Sequence, residues 1–156
     1  MGAITTNMAK KLDISQMIKR LEKEKSDLPA LIANDALKYF TGSFHRQQWD
    51  GQKWPEVKRR EEGTPEYKYP KTKDLQRRKR GILYGPDRTL YKAVQNSLRS
   101  VSWAQIVFGV DTDHGQYHND GMGHNPKRKF IGTSRYLQGK IRDRIVNAMK
   151  NIFTNP

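Results

Sequence analysis

A long stripe of apolar residues at helical spacing near the N-terminus limits the fold of this chain more than any other feature. The stripe begins at Ile14, after an Asp13 that can cap a helix, and runs to Phe44. Pro29 lies inside the stripe and has no N–H to donate to a helical ladder. The sequence therefore predicts a long N-terminal helix with a kink or a restart at Pro29.

A second stripe of this kind lies near the C-terminus. Ser134 can cap a helix whose apolar positions recur at intervals of four and are joined by three further apolar residues. We expect that helix to bury its apolar stripe in the core and to leave its basic face in solvent. The apolar positions are Leu137, Ile141, Ile145 and Met149, joined by Val146, Ile152 and Phe153, and the basic ones are Lys140, Arg142, Arg144 and Lys150.

Two strands are predicted between the helical stripes, over residues 94–103 and 105–110, after a brief helix that Asp87 could cap. The fold class that follows is α+β, with a small, mainly antiparallel sheet packed against long N-terminal and C-terminal helices. Residues 1–12 show no periodicity and are expected to form a flexible arm. Residues 13–156 are expected to form a single domain, which includes a projecting basic excursion at 53–80.

The net charge limits the partners of the chain. Its 156 residues carry 30 Lys and Arg against 16 Asp and Glu, a formal charge of +14. A field of that sign attracts phosphate backbones or acidic protein surfaces without distinguishing them. The chain has no Cys, which excludes disulfide and thiolate metal sites, and no apolar run of membrane-spanning length.

The excursion at 53–80 concentrates much of this charge. It holds 11 Lys and Arg against 5 Asp and Glu, with three prolines and almost no aliphatic residues, so we expect it to be extended and mobile in the isolated chain. Two partners fit it equally well, a phosphate backbone or an acidic protein surface. The candidate contact residues are Lys68, Lys71, Lys73, Arg77, Arg78, Lys79 and Arg80.

The loop at 111–125 contains three His and three Asp residues, which suggests a transition-metal site. Their spacing matches no established ligand motif, however. A nuclease that uses histidine to activate water is also a weak interpretation, because Pro126 and a strand-like Lys129-Phe130-Ile131 follow the loop. With no other catalytic constellation in the sequence, we predict a protein that is not an enzyme and that needs no metal or cofactor.

Shape offers a better interpretation of the same region. Gly121 permits a positive φ, Pro126 restricts the backbone, and Phe130 can anchor the next segment in the core. The planar guanidinium group of Arg128 can donate two hydrogen bonds to a carboxylate or to carbonyls, and we expect this partner on a neighbouring subunit or another protein. The interface candidates are His118, Asn119, Gly121, Pro126, Arg128, Lys129 and Phe130.

These residues also carry a resemblance to a known family. The run His118-Asn119-Asp120-Gly121, followed by Pro126-Lys127-Arg128-Lys129-Phe130-Ile131-Gly132, resembles the pattern of the bacteriophage virion morphogenesis, or tail completion, family, the Mu G-like head–tail joining neck proteins. Trp54 and the pair Thr89-Leu90 before Ser97-Leu98 extend the resemblance weakly upstream.

The resemblance implies a structural protein of a tailed phage virion that acts in tail completion or head–tail joining, located in the neck or tail after assembly in the host cytoplasm. It implies a homo-oligomeric ring, a hexamer or dodecamer, with connector, neck or tail proteins as neighbours and non-specific contact with packaged DNA. The alternative is a basic nucleic-acid-binding protein that is not part of a virion.

Overall fold

The computed structural model describes residues 13–70 and 76–154. Two long helices and two short antiparallel sheets give the α+β fold that the sequence predicts. The arm predicted for residues 1–12 lies outside the described residues. In chain order the elements are α1 (Ile14–Arg46), β1 (Gln48–Trp49), β2 (Gln52–Lys53), a 3-10 helix (Lys58–Arg60), α2 (Pro65–Lys68), α3 (Thr89–Gln95), β3 (Leu98–Val101), β4 (Ile106–Phe108), α4 (Gly115–Asp120) and α5 (Arg135–Thr154).

Helix α1 is one continuous element of 33 residues, so the predicted restart at Pro29 is wrong. Pro29 has no N–H, so the carbonyl of Lys25 loses its helical hydrogen bond. Lys25 is exposed, and water can donate to its carbonyl instead. The predicted cap is confirmed, since the Asp13 carboxylate accepts from the Gln16 amide at 3.0 Å. The helix ends at Arg46, and the next residue, Gln47, takes the left-handed conformation as its C-cap.

The core lies where the second half of α1 meets the rest of the chain. Phe44 is completely buried, and its ring centre lies 5.6 Å from Trp54 and 5.4 Å from Phe130. Trp49, in β1, and Trp54, directly after β2, are both buried, so they anchor the β1–β2 hairpin in the core. The buried cluster consists of Ala36, Tyr39, Phe40, Phe44, Trp49, Trp54, Ile82, Val94, Phe130 and Leu137.

Strands β3 and β4 pair antiparallel, as predicted, with Leu98 opposite Phe108 and Val101 opposite Ile106. The predicted start of the first strand at residue 94 is wrong, because 89–95 are helical. The fully buried Val94 is therefore a core residue of α3 rather than of a strand. The N-cap residue of this helix is Arg88 and not the predicted Asp87.

Helices α1 and α5 pack antiparallel. Tyr39 stacks on Tyr136 near the start of α5, whereas Asp35, one turn earlier in α1, pairs with Lys140 at 3.1 Å and with Arg144. The expectation that the basic face of α5 is only solvated is therefore wrong. The side chain of Asp35 is buried, and the two cations neutralise a charge that would be costly to bury alone.

Asp50 joins the hairpin to the start of α5. Its carboxylate accepts hydrogen bonds from the Tyr39 hydroxyl at 2.8 Å, the Arg135 amide at 2.9 Å and the Ser134 hydroxyl. Burial opposes ionisation of this carboxyl, but these hydrogen bonds outweigh it and lower the pKa of Asp50. Ser134 is the predicted cap, and its hydroxyl oxygen accepts from the Leu137 amide at 3.1 Å.

Candidate functional site

The loop predicted at 111–125 contains a short helix, α4, whose C-cap residue is Gly121. Gly121 has a φ of +74°, and a Cβ at this position would lie 2.8 Å from the Cβ of Lys127 and 3.0 Å from its backbone. Both the left-handed conformation and the close approach require glycine. The chain can therefore turn back so that residues 126–131 run alongside α4.

Asn119 fastens the two halves of this turn together. Its side-chain oxygen accepts hydrogen bonds from the amides of Phe130 and Ile131, at 3.0 and 3.1 Å. The carbonyl of His118 accepts from the Arg128 amide at 2.7 Å. We call residues 118–132 the motif clasp. The strand predicted at 129–131 is absent from this described stretch, because two of its amides bond to one side chain instead of to a neighbouring strand.

Arg128 is buried, with 5% of its surface exposed. Its Nε donates to the carbonyl of Pro55 and its Nη2 to the carbonyl of Glu56, both at 2.9 Å. The expectation that its partner lies on another subunit is thus corrected, since both acceptors belong to the same chain. The residue after Arg128 is also held by a hydrogen bond to this part of the chain, since Trp54 Nε1 donates to the carbonyl of Lys129 at 2.9 Å.

The other interface candidates separate into buried and accessible residues. Phe130 is 1% exposed and belongs to the core, so the monomer does not present it to a partner. Lys129 is half-buried, with its Nζ donating to the Thr133 carbonyl at 2.8 Å and lying 5.3 Å from the Trp49 ring centre. Pro126 is exposed on the outer edge of the clasp.

A cavity of about 350 Å³ lies between the motif clasp and the turn that precedes α3. His118 and Arg128 line it from the clasp, and Arg59 lines it from the 3-10 helix. Burial lowers the pKa of both guanidinium groups and of the His118 imidazole, and the Arg128 charge lowers that of His118 further. The remaining lining residues are Val57, Leu83, Tyr84, Gly85, Pro86, Asp87, Thr89, Leu90, Thr112 and His114.

The described part of the basic excursion is folded back on itself rather than extended. Arg59 donates to the carbonyls of Arg77 and Gly81, at 3.1 and 3.0 Å, and so ties both ends of the segment together. Arg77 donates to the Glu66 carbonyl at 3.1 Å, and the Arg78 guanidinium lies 3.9 Å from the Tyr67 ring centre. The expectation of an extended segment is wrong for 53–70 and 76–80, because backbone carbonyls and a ring replace the missing aliphatic core.

The remaining candidates of the excursion differ in position. Lys68 and Lys79 are exposed, whereas Lys71 and Lys73 lie outside the described residues. Lys79 and Arg80 line a second cavity, of about 400 Å³, together with His45 and Arg88. Its described lining includes no acidic residue. The pattern of basic residues indicated this charge, but the contributions of His45 and Arg88 depend on tertiary structure.

An exposed apolar surface was missed by the sequence interpretation. On α5, Ile145, Val146, Met149 and Phe153 are exposed rather than buried as predicted, while Leu137 and Ile152 are in the core. The apolar face of α5 is therefore only partly covered by α1. Further exposed apolar side chains lie on α1 and in the β3–β4 turn, namely Ile14, Ile18, Leu21, Leu31 and Trp103.

Part of this surface forms a groove of about 330 Å³, between α1, the β3–β4 turn and α5. Ile32, Trp103 and Ile145 are among its lining residues. Monomeric proteins rarely leave large contiguous apolar surfaces open to water. Helix periodicity in the sequence revealed the apolar side chains, but only the packing reveals which of them remain uncovered.

The metal-like cluster of 111–125 does not converge. Among residues 13–70 and 76–154, no group of three or more His, Asp or Glu side chains is placed to hold a metal ion. None of the described helices combines the length and the apolar character that crossing a membrane requires.

Comparisons with known proteins give no match, whether with family models, with curated proteins or with solved structures.

Proposed function

We propose that this chain is a structural protein of a tailed bacteriophage virion, which acts in tail completion or head–tail joining as a subunit of a homo-oligomeric ring. The observation that carries the proposal is the motif clasp. The residues through which the sequence resembles the tail completion family are not scattered over the surface. Asn119, Gly121, Arg128 and Phe130 each take a specific part in one folded unit.

The clasp supports the proposal because its contacts give physical reasons for the residue types of the pattern. A side-chain oxygen at Asn119 is needed to receive two amides, and glycine is needed at Gly121 because of its φ and its close neighbours. An arginine at Arg128 reaches two carbonyls on the segment after Trp54, a residue that also belongs to the resemblance. These contacts support the proposal because each depends on the residue type that the pattern has at that position.

The exposed apolar surface supports the ring. Four apolar side chains on the second half of α5 and one Trp in the β3–β4 turn remain accessible to water. Subunits of closed assemblies bury such side chains against one another, and the core of an oligomer interface is more apolar than the remaining surface. This surface is distinct from the motif clasp. The clasp thus shapes the subunit, and we assign the contact between subunits to α5 and the turn.

The decisive experiment uses the phage or prophage that encodes the chain. We expect mass spectrometry of purified particles to detect the chain, and electron microscopy to place it in a ring at the neck or at the top of the tail. Deletion of the gene should yield heads and tails that do not form infectious particles, and a copy supplied in trans should restore them. Normal infectious particles from the deletion strain would refute the proposal.

The second candidate is nucleic-acid binding outside a virion, and the basic cavity of His45, Lys79, Arg80 and Arg88 favours it. Binding dominated by phosphate contacts weakens steeply as salt rises, because counterions are released from the nucleic acid. Fluorescence anisotropy of labelled duplex DNA over a salt series measures that slope. A steep slope that Lys79→Gln and Arg88→Gln both reduce, in a protein absent from particles, would favour this candidate.

A further inference from the structure

The cavity beside the motif clasp has an unbalanced positive charge. Arg128 and Arg59 both line it, and both use Nε and Nη2 to donate to backbone carbonyls. Carbonyls satisfy N–H groups without cancelling the charge. The nearby Glu56 carboxylate is already engaged, 3.2 Å from Arg60. Asp87 is the acidic residue among the described lining, and it is exposed to water.

His118 adds a polar group whose hydrogen bonding is incomplete. Its Nδ1 is buried and has no hydrogen-bond partner among the residues that the structure describes. A buried polar atom without a partner is destabilising, and such atoms in folded proteins mark sites where water or a ligand completes the bonding. His118 lies in the same lining as Arg128, so its imidazole contributes to the electrostatic environment of any charged group bound in the cavity.

The walls of the cavity restrict what that group can be. Val57, Leu83 and Leu90 contribute apolar surface around the charged residues. A volume of about 350 Å³ accepts a side chain but not a nucleic-acid duplex. A phosphate has four oxygens to satisfy and would leave the apolar walls uncovered. A carboxylate has two oxygens, and an attached methylene stem would cover the apolar surface.

We propose that this cavity binds a carboxylate on a short apolar stem, the chemistry of a glutamate side chain, presented by a partner protein. Assignment of that partner to a virion protein rests on the function proposed above, whereas binding of the carboxylate does not. The site therefore gives the buried Arg128 a second role, in which it contributes charge to the cavity while its carbonyl bonds hold it in place.

Binding should depend on pH through His118. The charged and titratable groups around it are His114 on its own helix, Arg128 from the clasp, Arg59 from the 3-10 helix, and Tyr84 and Asp87 from the turn before α3. In the free protein the pKa of His118 lies below its usual 6.5, owing first to burial and then to Arg128 and His114. A bound carboxylate favours the protonated imidazole. Affinity should therefore rise as pH falls.

The test is a titration of the full chain with propionate, which has the stem and the carboxylate of a glutamate side chain. The chain has four histidines, so ring resonances in carbon–proton correlation spectra can be followed individually. His118→Gln assigns the His118 signal by its disappearance. Propionamide is the matched neutral probe, inorganic phosphate is the competing anion, and His124→Gln removes an exposed histidine that is not among the cavity's described lining.

We expect saturable shifts of the His118 and His114 signals with propionate, with tighter binding at about pH 5.5 than at about pH 7.5. His114→Gln should weaken binding and His124→Gln should not. The proposal is overturned by the absence of a saturable shift, by an equal response to propionamide, or by displacement of propionate at equimolar phosphate. The readout is small-molecule binding, so a negative result would refute the carboxylate site without bearing on whether the chain is present in particles. Absence of the chain from particles would likewise refute the virion function without bearing on carboxylate binding.

Discussion

The side-chain oxygen of Asn119 receives the backbone amides of both Phe130 and Ile131, at 3.0 and 3.1 Å, and thereby takes the place that a neighbouring strand would occupy. The segment around Phe130 runs through a partly buried region without forming a sheet. Its amides still need acceptors, because an unmet buried N–H is costly. One amide side chain on a short helix supplies both.

Removal of this acceptor should destabilise the fold. Asn119→Ala leaves two amides without partners, and we expect it to lower the free energy of unfolding by about 1–3 kcal/mol. Asn119→Asp keeps an oxygen in place and should cost less. Urea denaturation measures both. Asn125→Ala is the control, since that exposed side chain donates only a long bond of 3.4 Å to the Met122 carbonyl. An equal loss for Asn119→Ala and Asn125→Ala would contradict the role of the clasp.

Arg128 provides a second test of the clasp. Arg128→Ala removes two hydrogen bonds from a charged group to the carbonyls of Pro55 and Glu56, so we expect a loss of about 2–4 kcal/mol in the free energy of unfolding. Lys127→Ala changes an exposed neighbour and should alter stability by less than about 0.5 kcal/mol. Thermal unfolding of the monomer distinguishes them. An Arg128→Ala protein that melts like the wild type would restore the intersubunit role that the sequence suggested.

The sequence predicted what depends on local chemistry. Asp13 and Ser134 could be recognised as helix caps because a cap needs only the residues that follow it within one turn. The two long helices followed from apolar spacing. These features together give the fold class.

The sequence could not predict contacts between distant segments. The carbonyl partners of Arg128 lie 73 and 72 residues earlier in the chain, and carbonyls are present at every residue, so no sequence signal identifies them. The order of the basic excursion depends in the same way on Arg59. The exposure of Met149 was also hidden, because periodicity shows that a face is apolar and not whether anything covers it.

The ion pairs of Asp35 should make stability depend on pH in the acid range. Hydrogen bonds from Arg144 outweigh the cost of burial and, with Lys140, lower the pKa of Asp35 to about 2. A folded-state pKa below the unfolded value of about 3.8 means that the contribution is complete above about pH 4 and is lost as pH falls through about 2.

The measurement is the difference in unfolding free energy between the wild type and Asp35→Asn across that range. We expect about 1–2 kcal/mol at neutral pH, reduced from the full linkage value because water screens the partly exposed cations. The difference should shrink toward pH 2. Asp143→Asn is a suitable control, as Asp143 is largely exposed beside Arg142. A difference that does not change between about pH 6 and pH 2 would show that the ion pairs do not carry the effect.

The protein should not hydrolyse DNA. Metal-dependent hydrolysis needs a base and several metal ligands brought together, and the His and Asp residues of 111–125 form no such group within the described part of the chain. We expect supercoiled plasmid to remain intact with Mg²⁺, Mn²⁺ or Zn²⁺ added in turn. Cleavage that depends on metal and disappears in His118→Ala would refute this prediction.

The exposed face of α5 should matter for assembly and not for folding. Ile145 and Met149 are 43% and 46% exposed, so lysine at either position can extend into water in the monomer. We expect the free energy of unfolding to change by no more than about 0.5 kcal/mol, as is usual for surface substitutions. If the same face is buried between subunits, each lysine must be desolvated without a partner, which costs far more.

Ile145→Lys and Met149→Lys should therefore fold normally and fail to enter rings or particles, whereas Gln138→Lys, at an exposed position of the same helix, should do both. Denaturation curves report folding, and cross-linking with mass spectrometry of purified particles reports assembly. The two readouts separate the possible causes of failure. A variant that neither folds nor assembles would show that the face supports the core, and one that does both would place the subunit contact elsewhere. Only loss of assembly with folding retained agrees with an interface on α5.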